Sequence, residues 1–333
     1  MKKRNLGNGG TIVSAVGIGG MSFSDFYGPV DTKQSHAILG KALDLGIDHV
    51  DTANVYGAGI SEERIGSFLK DQGAGKHDLF KIATKAGIRR GSDGRRYFDN
   101  SFEHLRSELD KSLKRLGVDQ VELFYIHRRD PDRPIEAVTD SLAELVKSGK
   151  IKQFGFSEIA PSSLKLAAAI HPVGAVQSEY SLSTRFPEMG LVQRTREFGV
   201  SLVAFSPVGR SLLTDKPHPF ERCQSIDFLK ANPRFLEPNY RRNIAATDRF
   251  RRLAREMGYT AASLAIAWLL HQGEHILPIP GTRSVAHLQE VAIGADISLT
   301  ESDMQAIETC LPIGWAHGDR YSPDQWIGPE KYC

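Results

Sequence analysis

Eight short β-type runs, each followed by an amphipathic helical stretch, predict one (β/α)8 TIM barrel spanning residues 1–333. No linker, low-complexity block or charge run divides the chain, which supports a single domain. Periodicity alone leaves an open doubly wound sheet as the alternative. A short N-terminal β-hairpin comes first: Asn8-Gly9-Gly10 separates the basic start Met1-Lys2-Lys3-Arg4 from the apolar run Thr11–Ile18, and Asn-Gly favours a tight turn. The same break argues against a signal peptide.

The alternation begins at Val13–Ile18, read as the first barrel strand. Asp31-x-x-Gln34 resembles a capping box, Ile38, Leu39, Ala42 and Leu43 share one helical face, and Gly46 suits the helix exit. Strand Ile47–Val50 precedes a helix over Ser61–Leu69. Strand Leu79–Thr84 precedes a helix over Ser101–Leu116, in which Leu105, Leu109, Leu113 and Leu116 align and Gly117 ends the run. Val121–Ile126 pairs with helix Ile135–Val146, Ile151–Phe156 with Ser162–Ala169, and Val173–Gln177 with Leu191–Phe198. Val200–Phe205 is the seventh strand, and a long loop over residues 207–245 follows it. The apolar helix Ala261–Leu270 and the eighth strand Ile276–Ile279 complete the set. A tail over residues 313–333 carries Trp315, Tyr321, Trp326 and Tyr332.

Composition narrows the function classes. With 42 Lys+Arg against 40 Asp+Glu, a net charge of +2, the chain lacks the basic excess expected of a nucleic-acid or membrane-surface binder. The densest apolar run, Ala261–Leu270, is well short of the roughly 20 residues that cross a bilayer. Cys223, Cys310 and Cys333 are few and far apart, which points to no metal site, no disulfide framework and a reducing cytoplasm.

The active site of a barrel lies at the C-terminal ends of its strands. Asp51 follows the second strand, Lys85 the third and His127 the fourth, while Tyr56 stands in the loop after Asp51. Taken singly, such an Asp is a helix cap, such a Lys a solvated charge and such a His a core residue. At matching strand ends they form a set suited to moving a proton onto a carbonyl oxygen. A phenol titrates near 10, and a cation within about 4–6 Å lowers that by roughly 1–3 units. Lys85 supplies the cation, Asp51 holds it, and His127 orients the substrate oxygen or shares its proton.

The segments Asp51-Thr52-Ala53-Asn54-Val55-Tyr56-Gly57, Ala83-Thr84-Lys85 and Tyr125-Ile126-His127 resemble the Asp/Tyr/Lys/His tetrad of the aldo-keto reductase superfamily. The resemblance continues through Phe154-Gly155-Phe156-Ser157-Glu158, Gln177-Ser178-Glu179-Tyr180, Ala204-Phe205-Ser206-Pro207-Val208-Gly209-Arg210 and Pro278-Ile279-Pro280-Gly281-Thr282-Arg283. His127-Arg128 and the loop Phe26-Tyr27-Gly28-Pro29 are most similar to the bacterial and plant branch with pyridoxal- and perakine-type reductases. The resemblance implies hydride transfer from NADPH to a small aldehyde or ketone, with Tyr56 as proton donor.

It also implies a cofactor-binding set. Gly20, Met21 and Asp51 belong to it, and Ser157 and Gln177 would hold the nicotinamide carboxamide, with Glu158 where relatives place Asn or Glu. Phe205 would stack on the nicotinamide ring, and Ser206, Pro207, Val208, Gly209 and Arg210 would line the pyrophosphate. Ile279, Gly281, Thr282 and Arg283 would receive the adenosine end. Arg283 offers a guanidinium fork to a ribose 2′-phosphate, and the helix start near Ser284 adds backbone donors, which favours NADPH over NADH. Relatives often carry Glu-Asn where this chain has Glu290-Val291, so Gln289 or Glu290 would have to meet the adenine. No glycine fingerprint of a Rossmann site replaces this set.

Phe26, Tyr27 and Arg128 are candidate substrate residues. Residues 207–245 are a candidate cofactor lid, and the aromatic tail is either a pocket wall or a cover on the barrel's side. A redox-sensing regulatory subunit with slow turnover, and a barrel hydrolase using Glu158 and Glu179, are the competing functions. Nothing in the sequence marks a partner surface.

Overall fold

The computed structural model describes residues 1–73, 75–91 and 95–332. Twelve strands among the described residues are β1 (Lys3–Leu6), β2 (Thr11–Ser14), β3 (Ile18–Gly19), β4 (His49–Asp51), β5 (Lys81–Ala86), β6 (Ile88–Arg90), β7 (Arg96–Phe98), β8 (Val121–Ile126), β9 (Ile151–Ser157), β10 (Ala175–Glu179), β11 (Ser201–Phe205) and β12 (Ile276–Pro278). Eight of them form one parallel sheet in the order β3-β4-β5-β8-β9-β10-β11-β12. Two backbone bonds close the seam between first and last: Gly17 N–H donates to Pro278 O at 2.9 Å and Gly19 N–H to Pro280 O at 3.0 Å. The sheet is a closed (β/α)8 barrel, and the open-sheet alternative falls.

The first strand differs from its sequence reading. Val13–Ile18 is not one strand: Thr11–Ser14 turns back on Lys3–Leu6 as an antiparallel hairpin, and the barrel strand is only Ile18–Gly19. The hairpin plugs the N-terminal end of the barrel. Its Leu6 and Val13 join Ala83, Leu123, Tyr125, Ala175, Val203, Leu277 and Ile279 in an inner core, topped at the other end by partly buried Phe205. A larger apolar layer lies between strands and helices. Fully burying side chains of this kind contributes about 1.5–3 kcal/mol each.

Local chemistry sets the helix ends. Asp31 accepts from the Gln34 N–H at 2.6 Å, but Gln34 does not complete the box: its Nε2 reaches Arg283 O at 2.5 Å, tying this helix start to the loop after β12. Gly117 ends helix Phe102–Leu116 with φ +67, a conformation open to glycine.

The stretch read as a loop over 207–245 is partly helical. Short helices cover Phe220–Gln224 and Asp227–Lys230, and the 18-residue helix Asn239–Glu256 begins inside it. Leu212, Cys223, Ile226, Leu229, Phe235 and Tyr240 give this excursion a core of its own, against which Tyr27 packs. Further elements include the β6–β7 hairpin and helices Val285–Ile293 and Glu301–Cys310. Among the described residues no helix is long and apolar enough to cross a membrane, and no group of His, Cys, Asp and Glu is placed to hold a metal. Cys223 is buried and Cys310 half-buried, both as free thiols, while Cys333 lies outside the described residues.

Candidate active site

The C-terminal rim carries unusual backbone. Asp25, Ala58, Glu158, Ser206, Arg210 and Ser211 have positive φ without being glycines, and Glu158, Ser206, Arg210 and Ser211 immediately follow strands or enter the excursion. Such conformations cost on the order of 1–3 kcal/mol each and concentrate where a site demands them.

Asp51, Tyr56, Lys85 and His127 come together on this rim. Lys85 is fully buried, and its Nζ donates to Asp51 Oδ1, to Thr52 O at 2.7 Å and toward the Tyr56 hydroxyl at 3.4 Å. Burial opposes the ammonium's charge, but Asp51 and the Tyr56 oxygen outweigh it, so the Lys85 pKa is raised. The other Asp51 oxygen accepts from Gln177 Nε2 at 2.8 Å, so both carboxylate oxygens are engaged. The rings of Tyr56 and His127 meet edge-on with centroids 5.6 Å apart. Burial, with Arg128, Lys85 and Arg96 adding to it, holds His127 well below the usual imidazole range. It is therefore neutral at pH 7, and its Nδ1 is buried without a partner among the described residues.

Tyr56 is aimed by a turn of left-handed residues, Gly57, Ala58 and Gly59, with φ of 61°, 54° and 103°. The helix behind that turn is pinned through buried Glu62, which accepts from Thr84 Oγ1 at 2.5 Å and from Arg115 Nε at 2.6 Å. Since Thr84 immediately precedes Lys85, one carboxylate links the phenol's turn to the amine's strand.

The predicted cofactor residues form an arc from β9 round to β3. Gly20 and Met21 lie in a short 3-10 turn after β3, and a Cβ at Gly20 would meet Asp51 O at 3.0 Å. Ser157 ends β9 and its Oγ accepts from Arg128 Nη1 at 3.0 Å. Phe205, Ser206, Pro207, Val208, Gly209 and Arg210 run off β11 into a tight turn. Ile279 is buried, and Thr282 caps the residues after it, with Oγ1 accepting from Ser284 N at 3.0 Å. A Cβ at Gly281 would crowd Ser22 Oγ at 2.5 Å and Gly19 O at 3.1 Å, so the backbone approaches closely here. Arg283 is half-buried beside Arg222; burial first, then the Arg222 charge, lowers its pKa, and both arginines also act on His218. Gln289 is exposed, while Val291 is buried in the outer core and Glu290 O accepts from Ser263 Oγ at 2.7 Å.

Glu158 and Arg210 have partners the sequence did not announce. Glu158 is paired with Arg320 of the tail and also accepts from Glu179 N at 2.9 Å. Arg210 holds Glu179 in a fork at 2.9 and 2.6 Å. Burial raises the Glu179 carboxyl, but Arg210, Arg320 and Arg234 outweigh it and hold the group at about 2. Arg234 is pushed down to about 10, by burial first. Two carboxylates locked to arginines in this way leave no general acid for a hydrolase. Arg320 had no signal in an irregular stretch of tail, and Arg222 and Arg234 were hidden in what read as a loop.

Aromatic rings join the surrounding segments. Phe26 contacts Tyr27 and Phe228 at centroid distances of 5.0 and 5.6 Å, Phe228 contacts Tyr321 at 6.2 Å, and Tyr321 contacts Trp326 at 5.4 Å. Arg320 lies 4.6 Å from the ring centres of both Tyr321 and Trp326. The tail thus packs on the excursion and on the strand-end ion pairs, while its Trp315 and Tyr332 also pack on the outer apolar layer of the barrel.

Comparison with known proteins bears on this geometry. The model of the Aldo/keto reductase family matches residues 15–312. The aldo-keto reductase yakc [NADP(+)] of Schizosaccharomyces pombe is 35% identical over 324 residues, covering 96% of this chain and 94% of its own length. Probable aldo-keto reductase 1 of Glycine max is 38% identical, covering 95% and 90%. Among solved structures, a glycerol dehydrogenase of Gluconobacter oxydans superimposes with a TM-score of 0.81 at 27% identity, covering 93% of this chain and 94% of its own. With the family pattern matched across nearly the whole barrel and the tetrad gathered at one rim, the chain belongs to the aldo/keto reductase family.

Proposed function

We propose that the chain is an NADPH-dependent reductase that converts aldehydes or ketones to alcohols, with Tyr56 as the proton donor. The observation that carries the reading is the buried ammonium of Lys85 held between Asp51 and the Tyr56 hydroxyl, 3.4 Å away. When bound, the cofactor supplies a hydride to the carbonyl carbon. The carbonyl oxygen takes its proton from Tyr56, and Lys85 stabilises the negative charge left on the phenol oxygen. Asp51 keeps Lys85 charged and fixed. His127, being neutral, offers a ring N–H to the substrate oxygen instead of a second positive charge. Solvent then restores the phenol's proton.

The residues available fit NADPH. Phe205 presents a partly buried ring over the inner core, and Ser157 and Gln177 offer polar groups to a carboxamide. Gly281 gives the close backbone approach, and Arg283 with Arg222 forms a cationic end suited to a 2′-phosphate. The excursion belongs to the same proposal as a lid: Arg222 Nη2 reaches back to Tyr27 O at 2.7 Å, bridging over the Phe26–Pro29 loop. The buried free thiol of Cys223 suits a reducing cytoplasm. NADPH and NADH titrations by fluorescence quench, followed by absorbance loss with a panel of aldehydes and ketones, test the reading. NADPH binding with carbonyl-dependent oxidation supports it, and the absence of both overturns it.

A further inference from the structure

Two arginines on the rim have no ion-pair partner among the described residues. Arg128 spends one nitrogen, Nη1, on His127 O at 2.6 Å and Ser157 Oγ at 3.0 Å. Arg96, on β7, donates Nη2 to Asp324 O at 2.5 Å. Both flank one turn of the tail: a Cβ on Gly328 would lie 3.2 Å from the Arg128 side chain and 2.7 Å from Phe98, the last residue of the strand that carries Arg96.

Neighbouring charges do not cancel this pair. Asp51 is matched by Lys85, Glu158 by Arg320, and Glu330 by Arg129. Glu158 and Asp324 do act on Arg128 and Arg96 respectively, but the first is already paired and the second offers Arg96 its main-chain oxygen. Both arginines press on the neutral His127 ring, which places their charge at the reacting end. The cofactor's phosphates would not neutralise them either. Arg283 follows β12, which lies across the barrel from β5 and β8, the strands that lead into Arg96 and Arg128.

We propose that Arg96 and Arg128 form an anion clamp at the carbonyl, so that the preferred substrate carries a carboxylate or phosphate a few bonds from its aldehyde or ketone. The clamp rests on the reductase reading above for the identity of the reacting group, though not for its own binding of anions. Guanidinium forks suit both anions, and a charged hydrogen bond formed here is expected to favour the acid about tenfold or more over a neutral analogue.

Matched probes test this. Turnover of 4-carboxybenzaldehyde against methyl 4-formylbenzoate, and of glyceraldehyde 3-phosphate against glyceraldehyde, separates the carboxylate and phosphate sources. Expected is a preference of about tenfold or more in kcat/KM for at least one anionic member, carried mainly in KM and shrinking as salt rises. Arg96→Gln and Arg128→Met should each cut that ratio several-fold, and Arg128→Lys should restore part of it. Binding of terephthalate against dimethyl terephthalate to the NADP+-loaded protein reads the clamp without turnover. Reduction of all probes with ratios near one overturns the clamp and leaves the reductase. Absent turnover with an arginine-dependent preference for terephthalate keeps the clamp and overturns the reductase. Equal binding of both terephthalates overturns the clamp whatever the turnover.

Discussion

Replacing Lys85 by Met tests the central electrostatic argument. At 3.4 Å and an effective dielectric of about 20, an ammonium and a full phenolate charge attract by about 5 kcal/mol. At about 1.36 kcal/mol per decade, that corresponds to three or four orders of magnitude in rate. The charge on the phenol oxygen is only part-formed in the transition state, so kcat/KM should fall between about 10²- and about 10⁴-fold. The single variant also strands Asp51 as a buried carboxylate, which costs roughly 3–5 kcal/mol of stability. The neutral double variant Asp51→Asn/Lys85→Met removes both charges and separates misfolding from lost catalysis. The assay is NADPH oxidation with a saturating aldehyde, accompanied by thermal melting and NADPH titration. A double variant that melts normally, binds NADPH and turns over at more than a tenth of the native rate refutes the reasoning.

Tyr56→Phe should lower turnover by about 10²–10⁴-fold with the NADPH dissociation constant little changed, as read by single-turnover absorbance and fluorescence titration. Arg283→Gln should raise the KM for NADPH about 10–100-fold and leave that for NADH within about twofold, which steady-state kinetics with both cofactors would show. Glu179 is held at about 2 against its ordinary 4.5, so the unfolded chain takes up a proton that the folded one refuses. Its stabilisation, on the order of 3 kcal/mol, is complete above about pH 4.5 and is lost as pH falls toward 2; denaturant melts should show an acid loss that Glu179→Gln blunts while lowering stability at pH 7. Limited proteolysis within residues 207–238 should slow when NADPH is present, and equal cleavage with and without it would rule out a lid.

Much of the barrel is legible because its strands are β-branched runs and its helices repeat at 3.6 residues. The inner strand Val121–Ile126 and the helix Leu105–Leu116 face announce themselves in this way. Failures fall where the local signal serves two structures. Val13–Ile18 is apolar apart from Ser14 and Gly17, yet it splits between a plugging hairpin and a two-residue strand, and Asp48 accepts the Ser14 N–H at 2.6 Å where the two part. Helix Asn239–Glu256 is not legible in the sequence because its exposed face is crowded with Arg241, Arg242, Arg249 and Arg252 and four prolines precede it. The tetrad was legible as residue types at strand ends. The arginines that lock Glu158 and Glu179 were not, because their partners are more than 30 residues away and meet only in the folded rim.

The seam of the barrel rests on absent side chains. A Cβ at Gly19 would lie 2.8 Å from Ile279 O, and one at Gly281 3.1 Å from Gly19 O. Emptiness on one edge is filled by main chain from the other, so these positions are constrained jointly. A bulkier residue on either side meets main chain that no substitution opposite can remove, so tolerance at the seam is a property of the pair of edges rather than of any one site.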